Sequence, residues 1–338
     1  MKTQIRDIFT NWLKAEDDFS GVFSVSDVNG VIYQHATGYR NIAEQLPNTV
    51  DTAFGIASGT KLFTGLAVCK LIGDKKLSLD DKLCDLLPYD LGQIDKRITV
   101  FQLLTHTSGV GDYIDEDADN MEEKLQALYD TYPVQLWDKL EYYLQMSTHL
   151  PPKFEPGERF GYSNSGYVLL GLVVEAVSGV PFQEYVQSTI ITPCDLTHTG
   201  FYRLDELPPN TALGYMENGR TNAYSLPIRG GSDGGLYTCT ADLEKLWRAV
   251  FANKILSEDM TKIFLQSHVE IDDEESYGLG VYHYKDGDKL LHYAVGVDSG
   301  VGFATAYYPK TGVVVSGLKN TGYFPWSFFF EELLEVLG

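Results

Sequence analysis

Apolar residues near the N-terminus recur at a helical spacing. Ile5, Ile8, Phe9, Trp12 and Leu13 fall at i, i+3, i+4, i+7 and i+8, which puts them on one face of an amphipathic helix. The period then drops to two. Phe23 and Val25 alternate with Ser24 and Ser26, Asn29-Gly30 supplies a two-residue turn, and Val31 to Ala36 returns, a hairpin signature. The last third of the chain looks similar. Tyr277 to Tyr284 and Lys289 to Val297 flank a turn at Asp286-Gly287, and Gly302 to Tyr308 and Val313 to Leu318 flank Pro309-Lys310-Thr311-Gly312. A second amphipathic helix is predicted at the end, with Trp326, Phe329, Phe330, Leu333, Leu334 and Leu337 on one face.

Between these strand-rich ends the pattern is helical, in Ser58 to Ile72, Val134 to Met146, Gly166 to Val177, Phe182 to Thr189 and Ala241 to Phe251. Loops such as Pro151-Pro152 and Glu155-Pro156-Gly157 punctuate it. Isolated hairpins are marginal in water, so the terminal hairpins are expected to share one antiparallel sheet. The end helices would cover its face and the helical middle would be an inserted lobe. This is an α+β, two-lobed architecture. No repeat, low-complexity tract or linker interrupts the chain, so residues 1–338 read as a single domain. Its sheet lobe spans about 1–57 and 230–338, and its helical lobe about 58–229.

Charge narrows the partners. With 47 acidic and 26 basic residues the net charge is −21, which opposes nucleic acid and anionic membrane surfaces. Cys69, Cys84, Cys194 and Cys239 are widely spaced and read as reduced, small hydrophobes rather than a disulfide framework. The first 18 residues, MKTQIRDIFTNWLKAEDD, contain no apolar run of signal-peptide length. No stretch approaches a membrane span. The expectation is a cytoplasmic protein, with an extracytoplasmic place left open if a leader has been trimmed.

Phosphate loops, dinucleotide fingerprints and zinc-protease motifs are absent, and the seven histidines show no ligand spacing, so no cofactor or metal is expected. Ser58-Gly59-Thr60-Lys61 stands out. Ser58 and Lys61 are three apart at the start of a helix, so they share a face. That helix is almost wholly apolar, from Leu62 and Phe63 to Leu71 and Ile72, which places Lys61 where burial disfavours its ammonium. Ser58 would lie beside unpaired helix N–H groups suited to an oxyanion. The spacing alone is weak, since about one S-x-x-K is expected by chance in such a chain. It equally fits an N-cap serine and a lysine reaching water.

Further motifs follow in order. After Ser58-Gly59-Thr60-Lys61 come Leu-Phe-Thr-Gly and Lys76-Leu77-Ser78-Leu79-Asp80-Asp81. Ile98 to Gly109 reads ITVFQLLTHTSG, Pro156 to Asn164 reads PGERFGYSN, and Ser232 to Tyr237 reads SDGGLY. In series, from about Val22 to Leu318, these resemble the serine β-lactamase and penicillin-binding-protein superfamily, in its class C β-lactamase, D,D-peptidase and esterase-like branch. The resemblance implies an antiparallel five-stranded sheet flanked by terminal helices, with an inserted helical lobe. It also implies Ser58 as acylated nucleophile and Lys61 as its proton partner. Tyr162 would be general base or a proton-shuttling phenol, and Asn164 would bond the substrate's amide carbonyl. A tyrosine between lysines would have its pKa lowered from about 10.

The family's third motif, Lys or His then Thr or Ser then Gly, is altered here. Placing Gly296 as its glycine puts Ala294 at the cation position. His292 lies on the same strand face about 6.6 Å away, either as a substitute or as a solvated strand residue. Val297 would offer its N–H to the oxyanion. Losing the cation removes a charge-assisted bond to a substrate carboxylate, worth about 1.5–3 kcal/mol, unless Arg229 or Lys319 compensates. The expected function is therefore a serine acyl hydrolase acting on a small-molecule or peptide-like ester or amide. A D,D-carboxypeptidase, a weak β-lactamase and a non-catalytic binding member are the alternatives.

Overall fold

The alternating segments at the two ends of the chain meet in one sheet. The computed structural model describes residues 2–15, 19–116, 121–327 and 332–337. Strands β1 (Gly21–Asp27) and β2 (Gly30–Thr37) come from the N-terminal hairpin. Strands β3 (Val269–Glu270), β4 (Glu275–Tyr277), β5 (Tyr282–Asp286), β6 (Lys289–Asp298), β7 (Val301–Tyr308) and β8 (Val313–Lys319) follow near the other end. Their order is β2-β1-β8-β7-β6-β5-β4-β3, with every neighbouring pair antiparallel. The first strand thus docks on the last, with Gly21 opposite Lys319.

Eight strands replace the expected five. The five long ones, β1, β2 and β6 to β8, are joined by three short ones, of which the two-residue β3 is too brief for a period of two to register. The segment read as one strand, 277–284, is broken between β4 and β5 by Gly278 to Val281, where Gly280 adopts φ 107°.

The sheet separates two cores. On one face α1 (Lys2–Ala15) and α5 (Leu334–Leu337) bring Ile5, Phe9, Leu334 and Leu337 against Phe23, Val25, Leu291, Tyr293 and Val315. The expected contributions of Phe329 and Phe330 lie outside the described residues. On the other face α2 (Thr60–Gly73), α3 (Asn164–Ser178) and α4 (Thr240–Phe251) pack a larger core that includes Phe63, Leu66, Tyr167, Leu170, Trp247, Ala294 and Phe303. α2 and α3 are buried around most of their circumference, which is why their sequences carry so little polar face. α3 ends at Gly179, in the left-handed conformation that a glycine cap permits.

The helix expected over Val134–Met146 is instead two 3-10 turns and the short helix Leu144–Ser147. Trp137 and Lys139 take extended backbone angles and divide it. All four cysteines are free. Among the described residues, no single helix is long and apolar enough to cross a membrane.

Candidate active site

The chain enters α2 through a tight turn. Phe54–Gly55 pairs with Tyr237–Thr238, and Ala57–Gly59 then forms a 3-10 turn carrying Ser58. Ala57 sits at φ 44°, a left-handed conformation that costs a non-glycine residue about 1–3 kcal/mol and persists where surroundings over-determine it. Those surroundings are visible. Thr60 Oγ1 donates to Ala57 O at 2.7 Å and accepts from Leu236 N at 3.0 Å. A Cβ on Gly59 would stand 2.2 Å from the Phe303 ring. From the sheet, Gly296 on β6 backs directly onto Ile56, Ser58 and Gly59.

One helical turn on, Lys61 is buried, 3% exposed. Its Nζ lies 3.0 Å from Ser58 Oγ, 2.8 Å from Asn164 Oδ1 and 2.7 Å from Asp233 O. Burial lowers its pKa, while the negative charges of Asp233, Glu116, Asp112 and Asp298 act in the opposite direction. Thr64, one turn further along α2, donates to Ser232 O at 2.6 Å and so fixes the turn that presents Asp233. Close to Lys61, Gly65 allows the Leu279-Gly280 turn to lie against α2; a Cβ there would meet Leu279 O at 2.0 Å.

Tyr162 donates its hydroxyl to Ser58 Oγ at 2.8 Å, and Lys61 Nζ is 4.8 Å from its ring centre. The expected lowering of the Tyr162 pKa is reversed. Burial drives it well above 10 and Glu116 adds to the rise. One lysine is at hand rather than two: the described residues lining the space around the phenol include Lys61 and Ala294 but no second lysine. The phenol keeps its proton.

Asn164 opens α3, behind the N-cap Ser163. Asp112 accepts from Asn164 N and Ser165 N, each at 2.8 Å, satisfying two helix N–H groups at once; burial pushes its carboxyl up to about 7. His106, at φ 56°, accepts from Ser163 N at 3.1 Å through Nδ1 and lays its ring 4.6 Å from that of Tyr162. Asn164 Nδ2 donates to Glu116 Oε1 at 3.0 Å. The Tyr113 hydroxyl donates to the Asp233 carboxylate. Asp112, Tyr113, Glu116, Asp298 and the roles of His106 and Asp233 escaped the sequence reading.

His292 is not brought to this cluster. It is 6% exposed, with Nδ1 2.7 Å from His283 Nδ1 and its ring beside Phe251. Burial, then His283, lowers it to about 3. It is therefore neither a solvated strand residue nor a substitute cation at neutral pH. Arg229 donates to Phe201 O, and neither it nor Lys319 borders the cavities described next.

Two cavities, of 460 and 290 Å³, meet at Ser58, Glu116 and Val297. The larger has an apolar and aromatic wall that includes Ile114, Leu128, Tyr129, Val134, Tyr143, Met146 and Tyr202. Its charged lining is Glu116, Asp233 and Asp298. The smaller contains Lys61, Tyr162, Tyr277, Tyr282, Ala294, Gly296 and Trp326. Among the described residues lining the two, Lys61 alone is a cation.

Away from these cavities, ligand atoms of His198, Cys239 and Asp242 fall within 4.8 Å of one another. Asp242 Oδ2 already accepts from His198 N at 2.7 Å and Thr199 Oγ1 at 2.9 Å, and Lys245 Nζ stands 3.7 Å from Oδ1. Burial pushes the Cys239 thiol up to about 12. A satisfied carboxylate beside an ammonium and a protonated thiol suit a metal ion poorly.

The chain as a whole is similar to known penicillin-binding proteins. It is 38% identical to the penicillin binding protein from Bacillus halodurans, covering 98% of this chain and 99% of that one, with a TM-score of 0.88. Penicillin-binding protein 4* of Bacillus subtilis (strain 168) is 28% identical over 287 residues, 79% of this chain and 60% of that protein. Protein flp of Staphylococcus aureus (strain N315) is 31% identical over 204 residues, 59% of this chain. The match covers 38% of flp's length, so the chain aligns with well under half of that relative. The Beta-lactamase family model matches residues 9–336, and with nearly the whole sequence inside it this chain belongs to the beta-lactamase family.

Proposed function

We propose that this protein is a serine acyl hydrolase that forms an acyl-enzyme on Ser58 and hydrolyses an ester or a peptide-like amide. The observation that carries this reading is the contact of Ser58 Oγ with both Lys61 Nζ, at 3.0 Å, and the Tyr162 hydroxyl, at 2.8 Å. Asn164 Oδ1 and Asp233 O, the other partners of Lys61, can only accept. When Lys61 gives up a proton, its two remaining N–H groups stay on those oxygens and its lone pair faces Ser58. Burial eases that loss.

Ser58 Oγ bonds the acyl carbon as its proton passes to Lys61, and the carbonyl electron pair moves onto oxygen. The N–H groups of Ser58 and Val297 would receive that oxyanion. Collapse re-forms the carbonyl and breaks the bond to the leaving oxygen or nitrogen. The leaving atom takes a proton from Tyr162, whose raised pKa keeps one available, and Lys61 returns a proton to Tyr162. Water then adds its hydroxyl to the acyl carbon, Ser58 regains its proton, and a carboxylic acid departs. With Ala294 at the third-motif position, a substrate carboxylate lacks a charge-assisted bond worth about 1.5–3 kcal/mol, or roughly 10- to 150-fold. This ranks esters and amides without that carboxylate above β-lactams and D,D-peptides.

The test pairs a short-chain p-nitrophenyl ester with a fluorescent penicillin, on the wild-type chain and on Ser58→Ala. Ester turnover that falls at least about a thousandfold in the variant is expected. Turnover that survives Ser58→Ala would overturn the nucleophile. A stable penicillin adduct without ester turnover would favour the D,D-peptidase reading.

A further inference from the structure

The two cavities divide the substrate between them. Tyr162 and Lys61 border the smaller one and not the larger. A leaving atom that takes its proton from Tyr162 therefore departs into the smaller cavity, and the acyl group lies in the larger. The smaller cavity is walled by Ala294 with Leu62, Tyr277, Tyr282, Val295 and Trp326. Tyr282 is a fixed platform: the Tyr293 ring stacks on it at 5.1 Å from the neighbouring strand, and the Tyr277 ring meets it edge-on at 4.5 Å. Trp326, expected on an end helix, sits instead in a turn after β8, its ring 4.9 Å from that of Tyr323. Lys61 is the one cation among the described residues of this cavity. Its charge is answered by Asp233, Glu116, Asp112 and Asp298, and its Nζ bonds Ser58 Oγ, Asn164 Oδ1 and Asp233 O. An anion entering here meets Glu116 on the wall and a lysine whose three N–H groups are already engaged.

We propose that the smaller cavity is a leaving-group subsite for an uncharged apolar or aromatic alcohol or amine, with Tyr282 and Trp326 as the residues that select it. The inference rests on the acyl-hydrolase reading and adds to it which half of the substrate the aromatic wall recognises. A flat ring gains contact with two aromatic side chains, in a space at the small end of ligand cavities. The short Ala294 side chain leaves room for that ring, where a lysine or histidine would fill the same space with a polar group. A carboxylated leaving group loses its hydration there and gains no charged partner in return.

The experiment compares acetate esters that share an acyl group and differ in the alcohol: phenyl, 2-naphthyl and 6-carboxy-2-naphthyl acetate. Each kcat/KM is divided by the rate constant for hydroxide, which removes intrinsic leaving ability. The wild type is expected to prefer 2-naphthyl to phenyl, and 2-naphthyl to its carboxylated form, each at least about tenfold. Trp326→Ala should cut the first preference at least about threefold, and Ala294→Lys the second at least about tenfold. Should the lysine variant fail to fold, Ala294→His carries the same test. Indifference to ring size and charge in the wild type, or a preference unmoved by its variant, overturns the proposal. Calorimetry on Ser58→Ala with 2-naphthol and 6-hydroxy-2-naphthoate reads the subsite without turnover, and binding of the naphthoate as tight as that of the naphthol overturns it as well. Ester turnover that survives Ser58→Ala sinks the nucleophile alone. Turnover that depends on Ser58 but favours the carboxylated ester sinks the subsite alone.

Discussion

Gly296 on β6 lies against the main chain of Ser58: a Cβ added to it would stand 2.9 Å from Ser58 N and 2.2 Å from Ile56 O. The sheet and the turn that carries Ser58 approach so closely that no side chain fits between them. Gly296→Ala is expected to push the turn off β6, lowering kcat at least about a hundredfold and costing about 1–3 kcal/mol of stability. Ester kinetics alongside chemical denaturation checks both. An alanine variant with wild-type kcat would show that the approach is not needed for catalysis.

Lys61 must lose a proton to accept that of Ser58. Its folded pKa lies below the ordinary 10.5 because burial outweighs the surrounding acids. The kcat/KM of a neutral ester should therefore rise with pH along a limb set below that value and then level off. Lys61→Arg keeps a cation that does not deprotonate, so its activity should be lost at every pH. An arginine variant that retains the limb would remove Lys61 from the proton path.

Tyr162 enters through its proton, which a good leaving group does not need. Tyr162→Phe should lower amide hydrolysis by about 10²–10⁴, and p-nitrophenyl ester hydrolysis far less. The measurement is the ratio of the two kcat/KM values. An equal loss on both substrates would indicate that the phenol serves only to orient Ser58.

The His283–His292 contact should make the fold sensitive to acid. Both imidazoles are buried, and their pKa values fall to about 4 and about 3. In the unfolded chain each would protonate near 6.5. Their folded values are depressed, so the stability they contribute is present above about 6.5 and drains away as pH falls toward 4 and 3. At pH 5 the loss is about 2 kcal/mol for each imidazole. Thermal melts from pH 7.5 to 4.5 should show this fall, and His292→Gln should flatten it. Equal slopes for the two proteins would dismiss the pair as the cause.

The local signals were readable from the residues themselves. Ser58 and Lys61 are one turn apart on an apolar helix, and the hairpins announce themselves through Asn29-Gly30 and Asp286-Gly287. The sheet and its flanking helices followed from those periods. Contacts made across the fold were not readable. Asp112 reaches Asn164, Asp233 reaches Lys61, and Glu116 reaches Asn164 through chain separations that no spacing encodes. Tyr162 misled because its pKa is set first by burial and then by Glu116, both tertiary facts. His292 had a usable signal. With Asp286 opposite Lys289 across the turn, the antiparallel register sets His283 opposite His292, which makes a buried pair more natural than a free imidazole.

The docking of β1 on β8, Gly21 against Lys319, has a consequence for how the protein comes into being. Ser58 and Lys61 leave the ribosome long before the strand that braces them, with Gly296 and Val297, has been made. The sheet can close only after that, through contacts of very high sequence separation, the kind that fold slowly. A nascent or truncated chain ending before β6 therefore carries the nucleophile without the wall behind it. On the proposed mechanism, acylation of Ser58 has to wait for β6, and a burst of acylation during refolding would time the closure of the sheet.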